Sequence, residues 1–209
     1  FGGSRLQKHH WYLEATTPKH GERIWHIVHL DHTLLDIQLR HTQTGQVLGR
    51  PWATFAVDAY SRRLLAVMLT LDDQPSYRTC MLVLREMVSR FGRLPQTLVV
   101  DNGKEFHSTY FQALLAHYGV EVAYRPPGQP RFGDVVERLF RTANTQFIYN
   151  LTGNTQLTRQ VRLVTTSHDP RQLALWTLET LYGVLREWAY EVYDQAVHFS
   201  LGQSPRQLY

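Results

Sequence analysis

The order of the short apolar segments constrains the fold of this chain more than any other feature of its sequence. Three strand-like runs come first, separated by polar turns, at 24–30, 52–57 and 64–69. Segments with helical apolar spacing then alternate with further short apolar runs, at 76–91, 97–100, 110–117 and 120–124. A meander followed by such alternation predicts an α/β fold with a five-stranded mixed sheet and helices on both faces.

The flanking sequence predicts an appendage at each end of this core. Residues 1–22 mix Gly, Lys, His and Thr without a period and predict an arm or linker. The core is predicted at 23–151, with a proline-rich loop at 125–132 before a helix that runs to about Asn150. Residues 152–209 predict a helical extension with a long helix at 173–194, leading toward a C-terminal domain that this piece lacks.

Composition excludes several classes of protein. Cys80 is the single cysteine, so neither an internal disulfide framework nor a Cys-rich zinc site can form, and a reducing cytoplasm is expected. No apolar run approaches the roughly 18 residues of a membrane span. The net charge of +4 fits either an ordinary basic enzyme or a surface that neutralises phosphates.

Three carboxylates are placed to converge. Asp31 and Asp101 each follow an apolar run, and Glu137 falls in the first turns of a predicted helix. Like charges about 4 Å apart repel by roughly 1 kcal/mol even in water, so such a group needs a cation or a shared proton. Hard oxygen ligands suit Mg²⁺ or Mn²⁺, and a pair of such ions serves phosphoryl transfer. Considered one at a time, each acid also fits a purely structural role: Asp101 as a turn residue, Asp31 as a strand-end cap and Glu137 as a partner of the helix dipole.

Other polar residues have two interpretations each. Asp36 and Asp58 are rival acids, for which structural and turn roles are favoured, and Asp134 is predicted to cap the helix that carries Glu137. Contact with DNA phosphates, or simple exposure to solvent, is predicted for a set of polar side chains near the three acids: Lys104, Arg138, Arg141 and Asn144. The evenly spaced His26, His29 and His32 suggest zinc, but an extended strand would scatter them.

Three sequence blocks resemble the integrase core shared by retroviral integrases and many bacterial transposases. They are Trp25–Thr33 with Asp31, Val99–Phe106 with Asp-Asn-Gly, and Pro126–Glu137 with the helical Glu. The 35 residues between Asp101 and Glu137 match the interval typical of that family. Several further segments are similar to the Mu/TnsB branch: Asp31–Asp36, Arg50–Arg62, Pro75–Tyr77, His198 and Leu201–Pro205.

The resemblance implies an RNase H-like fold and a DDE-type polynucleotidyl transferase, with Asp31, Asp101 and Glu137 holding two Mg²⁺ ions for which Mn²⁺ can substitute. It implies cleavage at transposon 3′ ends followed by strand transfer into target DNA, by a homo-multimer in the bacterial cytoplasm at the nucleoid. An ATPase target-selection regulator and a companion nuclease are implied partners. Two alternatives remain: an RNase H-like nuclease that cleaves without joining, and a DNA-binding module without catalytic activity.

Overall fold

The computed structural model describes residues 20–126, 134–156 and 169–209. Most of the predicted N-terminal arm, most of the proline-rich loop and residues 157–168 of the predicted helical extension lie outside these ranges. The strands are β1 Ile27–Leu34, β2 Leu39–Arg40, β3 Val47–Gly49, β4 Trp52–Asp58, β5 Leu64–Thr70, β6 Thr97–Val100 and β7 Glu121–Tyr124. The α-helices are α1 Tyr77–Phe91, α2 Thr109–His117, α3 Asp134–Gln146, α4 Leu178–Glu187 and α5 Pro205–Leu208.

Five strands form one mixed sheet in the order β5-β4-β1-β6-β7, which confirms the predicted architecture. Strands β1, β4 and β5 are antiparallel neighbours, as expected for a meander. Strands β6 and β7 add in parallel on the other side of β1. At β1 the chain therefore stops adding strands on one side of the sheet and begins to add them on the other. Crevices that bind ligands tend to open at such a point.

Helices cover both faces of this sheet, because each face carries its own apolar cluster. On one face, helices α1 and α2 pack on a cluster that includes Val28 and Leu30 of β1. On the other face, α3 and α4 pack on a cluster that includes Phe55 of β4, whose ring lies 5.0 Å from that of Phe140. Consecutive residues of a strand point to opposite faces, so this division determines which side chains of β1 lie beneath α3.

Strand β1 is longer than predicted. The sequence suggested that it ends at Asp31, but it continues to Leu34. The parallel pairing with β6 stops at His29 and Val99, whereas the antiparallel pairing with β4 continues to Leu34 and Trp52. The second half of β1 was not predicted because its residues are only half-buried, so they do not form an apolar run in the sequence.

The region between β1 and β4 also differs from the prediction. Residues 43–50 were predicted as a turn, and the structure adds a two-stranded ribbon of β2 and β3 around it. A hydrogen bond joins the ribbon to the C-terminal part of the chain: the Arg40 amide donates to the Trp176 carbonyl at 2.9 Å. Such a non-local contact leaves no local pattern in the sequence.

Helix α4, in the predicted helical extension, begins later than the predicted residue 173. Thr177 caps α4 by accepting a hydrogen bond from the Thr180 amide, so residues 173–176 are not helical. The helical path continues beyond α4 through a π-helical turn, Trp188–Val192, and a 3₁₀ turn, Tyr193–Gln195. Four apolar residues at helical spacing, Leu178, Leu181, Leu185 and Trp188, were predicted to pack in the core; the last three are buried and Leu178 is half-buried against the same cluster. They share a cluster with the sheet, and the boundary proposed at residue 151 stays a prediction.

No helix in the described ranges is both long and apolar enough to cross a membrane.

Candidate active site

Asp31 lies on the sheet face covered by α3. Its neighbour Leu30 packs into the opposite cluster, and its cross-strand partner Phe55 packs beneath α3. One carboxylate oxygen, Oδ1, accepts the His32 amide at 2.8 Å. The side chain is only 14% exposed, so this carboxylate is held at a set position in the ladder between β1 and β4.

Asp101 directly follows β6, the parallel neighbour of β1. Its Oδ1 accepts the amide of Gly103 at 2.8 Å, which gives the predicted turn of the Asp-Asn-Gly sequence a specific hydrogen bond. The turn interaction engages only one of the two carboxylate oxygens, so a turn role and a ligand role are compatible in this residue. The alternation of side chains along β6 places Asp101 on the same sheet face as Asp31, since Val100 is buried on the other.

Glu137 approaches the same edge from α3. The helix buries Val136, Leu139 and Phe140 in the core, and Glu137 itself projects outward with 55% of its side chain exposed. The structure therefore brings all three predicted acids to one edge of the sheet. Within residues 20–126, 134–156 and 169–209, it does not group any three His, Cys, Asp or Glu side chains closely enough to form a ready-made metal site.

Arg125 stands between two of these acids, and sequence reasoning missed it. Its Nη2 lies 2.8 Å from Oδ2 of Asp31, and its Nη1 lies 4.0 Å from Oε1 of Glu137. The side chain is 11% exposed. A basic residue directly after a strand of the parallel half was the available signal, because neighbouring parallel strands end at a common edge.

The pKa of Asp31 reports the balance of charges at this edge. Burial raises the pKa of Asp31 above its usual value, and the nearby negative charge of Asp101 raises it further. The Arg125 guanidinium opposes both effects. Burial is the largest of these effects and the repulsion by Asp101 is the smallest, while the positive charge of Arg125 favours the ionised form of Asp31.

Glu105 is a second residue that the sequence did not single out. Burial raises the pKa of Glu105, and the charges of Asp101 and Asp31 raise it further. Its Oε1 lies 3.6 Å from Nε2 of His32, whose ring stacks on Phe106 and contacts Oγ1 of Thr54 at 2.7 Å. Burial lowers the pKa of His32 to about 4, so this histidine is neutral at physiological pH.

The three evenly spaced histidines do not converge. His32 lies on the α1 side of the sheet with Phe106, whereas His29 lies on the α3 side. Nδ1 of His26 instead accepts the Glu22 amide in the turn before β1. The scatter follows from the alternation of side chains along a strand.

The rival acids have structural partners. Asp36 pairs with Arg50 at 2.6 Å and accepts the Tyr149 hydroxyl at 2.9 Å. Asp58 is fully buried and accepts hydrogen bonds within the turn that follows β4, which confirms its predicted turn role. Asp134 is the first residue of α3 and pairs with Arg138 at 3.2 Å.

The predicted DNA-contacting residues differ in exposure. Lys104, Arg138 and Arg141 are exposed, and the latter two lie on α3 one and four residues after Glu137. Asn144 is half-buried, and its Oδ1 has no hydrogen-bond partner among the described residues. Arg138 and Arg62 both contribute to lowering the pKa of His20 and of His198, after burial, so positive charge collects around the start of α3.

Retroviral integrase structures are among the solved structures that this chain resembles. The simian T-cell lymphotropic virus intasome, in complex with PP2A regulatory subunit B56 gamma, aligns with a TM-score of 0.61 and 16% identity over 92% of this chain and 57% of that one. The HTLV-2 integrase catalytic core domain in complex with magnesium, in its trimeric form, gives 0.56 and 17% identity over 90% of this chain and 98% of that one. These similarities show the RNase H-like fold.

Sequence comparison narrows the family. The chain is 26% identical over 182 residues to the transposase for transposon Tn552 from Staphylococcus aureus, which covers 84% of this chain and 35% of that protein. It thus spans about a third of the length of this relative. Residues 29–153 match the TnsB C-terminal domain family, and this match takes in β1, β6 and α3 with their three acids. Because that match covers more than half of its length, the chain belongs to the TnsB C-terminal domain family, within the superfamily of DDE transposases and retroviral integrases.

Proposed function

We propose that this chain is the catalytic domain of a DNA transposase that cleaves transposon 3′ ends and joins them to target DNA in a metal-dependent reaction. What supports the proposal is that Arg125 pairs with Asp31 and lies 4.0 Å from Glu137, and that the negative charge of Asp101 acts on Asp31. Family membership agrees with this chemistry. The experiment below tests the activity itself.

The three acids suit a divalent cation. They offer only hard oxygen donors, and Asp31 already attracts a positive group, the guanidinium of Arg125. Asp31, Asp101 and Glu137 would hold Mg²⁺, as two ions for which Mn²⁺ can substitute. When bound, such ions activate the attacking oxygen and stabilise the leaving oxygen of an in-line phosphoryl transfer.

The chain's own contribution is positional. Asp31 and Asp101 each use Oδ1 to accept a backbone amide, which orients the carboxylate and directs Oδ2 to other partners. In Asp31 that second oxygen faces Arg125. Preorganised carboxylates of this kind need little rearrangement when charge develops in the transition state.

Exposed basic residues beside the acids would hold the DNA backbone. Arg138 and Arg141 follow Glu137 along α3, Lys104 follows Asp101, and the amide of Asn144 lies further along the helix. Phosphate contacts of this kind position a duplex without reading its sequence. We further propose that the chain works as a homo-multimer on transposon ends, with an ATPase regulator and a companion nuclease as partners, in the bacterial cytoplasm.

The test supplies a pre-cleaved transposon end with a free 3′-OH, a target duplex and Mg²⁺. We expect joined product from the wild type, and its loss in Asp101→Asn and Glu137→Gln with DNA binding retained. Asp73→Asn changes an exposed acid in the loop after β5 and serves as the matched control. Circular dichroism checks that each variant is folded.

The outcome distinguishes the candidate functions. Cleavage of an intact end without joining would identify a nuclease instead of a transposase. Binding of DNA without cleavage or joining, in the presence of Mg²⁺ or Mn²⁺, would identify a DNA-binding module. Full joining activity in either Asp101→Asn or Glu137→Gln would refute the assignment of the three acids.

A further inference from the structure

Arg125 has a backbone that is fixed at the active-site edge. Its amide donates to the Val100 carbonyl at 2.8 Å, and its carbonyl accepts from Nδ2 of Asn102 at 3.1 Å. These two residues flank Asp101 on either side. The α-carbon of Arg125 is therefore tied beside one carboxylate, while its guanidinium reaches the other two at Asp31 and Glu137.

The guanidinium of Arg125 has fewer hydrogen-bond acceptors than the guanidinium groups of Arg50 and Arg63. Arg50 donates from Nε to the Leu35 carbonyl and from Nη2 to the Leu34 carbonyl and to Asp36. Arg63 donates from both Nε and Nη2 to Asp194 and stacks on Tyr209.

By contrast, Nε of Arg125 is buried and has no hydrogen-bond acceptor among the described residues, and Nη2 has one close partner, Oδ2 of Asp31, at 2.8 Å. A buried donor that lacks an acceptor is costly to keep, so this guanidinium retains a donor for a further ligand.

A divalent cation and this guanidinium would compete for one carboxylate oxygen. Oδ1 of Asp31 is occupied by the His32 amide, and Oδ2 is the atom that faces Arg125. An ion bound at Oδ2 would repel the guanidinium while its backbone anchors keep it at the site. The planar fork of an arginine fits two oxygens of a phosphate, and a DNA phosphate is the ligand that the proposed reaction brings to this place.

We propose that Arg125 is a catalytic residue that binds a phosphate of the reacting DNA, and that in the metal-free protein its guanidinium occupies the cation position at Asp31. This inference rests on the proposed function. It makes Arg125 contribute to DNA affinity only after a divalent ion has displaced it from the carboxylates.

The first measurement is Mn²⁺ binding without DNA, followed by electron paramagnetic resonance. Arg125→Met keeps an unbranched apolar stem and removes the competing charge, so we expect its Mn²⁺ affinity to rise at least about fivefold. Arg85→Gln removes an exposed charge on α1 and is expected to change the affinity less than about twofold. Equal or weaker Mn²⁺ binding by Arg125→Met would overturn the competition between the two cations.

The second measurement is DNA binding in Ca²⁺ and in EDTA. Because the guanidinium is released only by the metal, we expect Arg125→Met to weaken DNA binding about tenfold in Ca²⁺ and less than about twofold in EDTA. Joining in Mg²⁺ is expected to fall about 100-fold, the scale of losing one donor to a transition-state oxygen. Equal losses of affinity in Ca²⁺ and EDTA, or unchanged joining, would overturn the role at the phosphate.

A second variant and the DNA-free measurement distinguish failure of the Arg125 proposal from failure of the proposed function. Arg125→Lys retains the charge without the fork, so Mn²⁺ binding close to that of the wild type with slower joining is expected, and it replaces Arg125→Met if that variant does not fold. The Mn²⁺ experiment needs no DNA chemistry. If the wild type joins no DNA, the proposed function fails, whereas tighter Mn²⁺ binding by Arg125→Met still supports the competition.

Discussion

Asp58 offers a sharp test of how the start of β1 is fixed. Its carboxylate is fully buried at the end of β4. Oδ2 accepts the amide of Trp25 at 2.7 Å, and Oδ1 accepts the amide and the hydroxyl of Ser61 at 2.7 and 2.8 Å. The backbone of Trp25 has φ 63°, a left-handed conformation that a bulky residue rarely adopts. Asp58 therefore holds the turn before β1 and the turn after β4 with one side chain.

The cost of removing this carboxylate follows from the donors that it leaves behind. Asp58→Ala removes the acceptor of two buried amides, those of Trp25 and Ser61, at roughly 1–3 kcal/mol each, and also that of the Ser61 hydroxyl and the partly buried Tyr60 amide. We expect a loss of about 4 kcal/mol in the free energy of unfolding, a large share of the roughly 5–15 kcal/mol typical of a domain. Asp58→Asn can keep its oxygen on Ser61 and turns its amide group toward Trp25, so about 2 kcal/mol is expected.

Urea denaturation followed by circular dichroism measures both values from the transition midpoint and the slope. Asp73→Ala, which changes an exposed acid, is the control and is expected to stay within roughly 0.5 kcal/mol of the wild type. A stability of Asp58→Ala within about 1 kcal/mol of the wild type would refute the reasoning. So would an Asn variant as unstable as the Ala variant, because the two retain different numbers of acceptors.

Three further predictions concern other buried groups. Burial lowers the pKa of His29 to about 3, and neither ring nitrogen has a partner among the described residues. The unfolded chain, with a histidine pKa near 6.5, therefore binds more protons below that pH, and stability falls by roughly 1.4 kcal/mol per pH unit from about 6.5 to about 3. His29→Leu should remove this slope and be at least as stable at pH 7.5; parallel stability curves would contradict the prediction. Cys80 is fully buried, and burial raises the pKa of its thiol. A thiol reagent should therefore label it only at the rate of local or global unfolding, and immediate labelling of the native protein would contradict this burial. Arg50→Met removes the ion pair with Asp36 and the hydrogen bonds to the Leu34 and Leu35 carbonyls, so urea denaturation should show a loss of about 2 kcal/mol; no measurable loss would mean that these contacts contribute only at the level of an exposed pair.

Local apolar patterns were enough to predict the architecture. The runs that became β4, β5, β6 and β7, and the helical spacing of α1, depend on residues that are close in sequence. The β2–β3 ribbon could not be predicted, because its strands are short and the ribbon is fastened to the distant Trp176. The start of α4 was misplaced because the capping Thr177 lies inside an apolar stretch that already had helical spacing.

The candidate site was predictable only in part. The positions of Asp31, Asp101 and Glu137 came from their places after apolar runs and from the family interval, and their role as ligands remains a prediction. Arg125 also follows an apolar run, but its importance depends on the register of β7 beside β6. That register places the residue after Tyr124 beside Asp101, a relationship between segments that no local pattern records.

The uneven support of β1 has a mechanical consequence. Past His29 the strand loses β6 but keeps β4, so Asp31 sits on a backbone that is still hydrogen-bonded on one side and open on the other. Glu137 is carried by a helix that packs on the sheet through Val136, Leu139 and Phe140, and packed apolar side chains can slide without breaking directional bonds. A shift of α3 over the sheet would therefore move Glu137 more readily than Asp31.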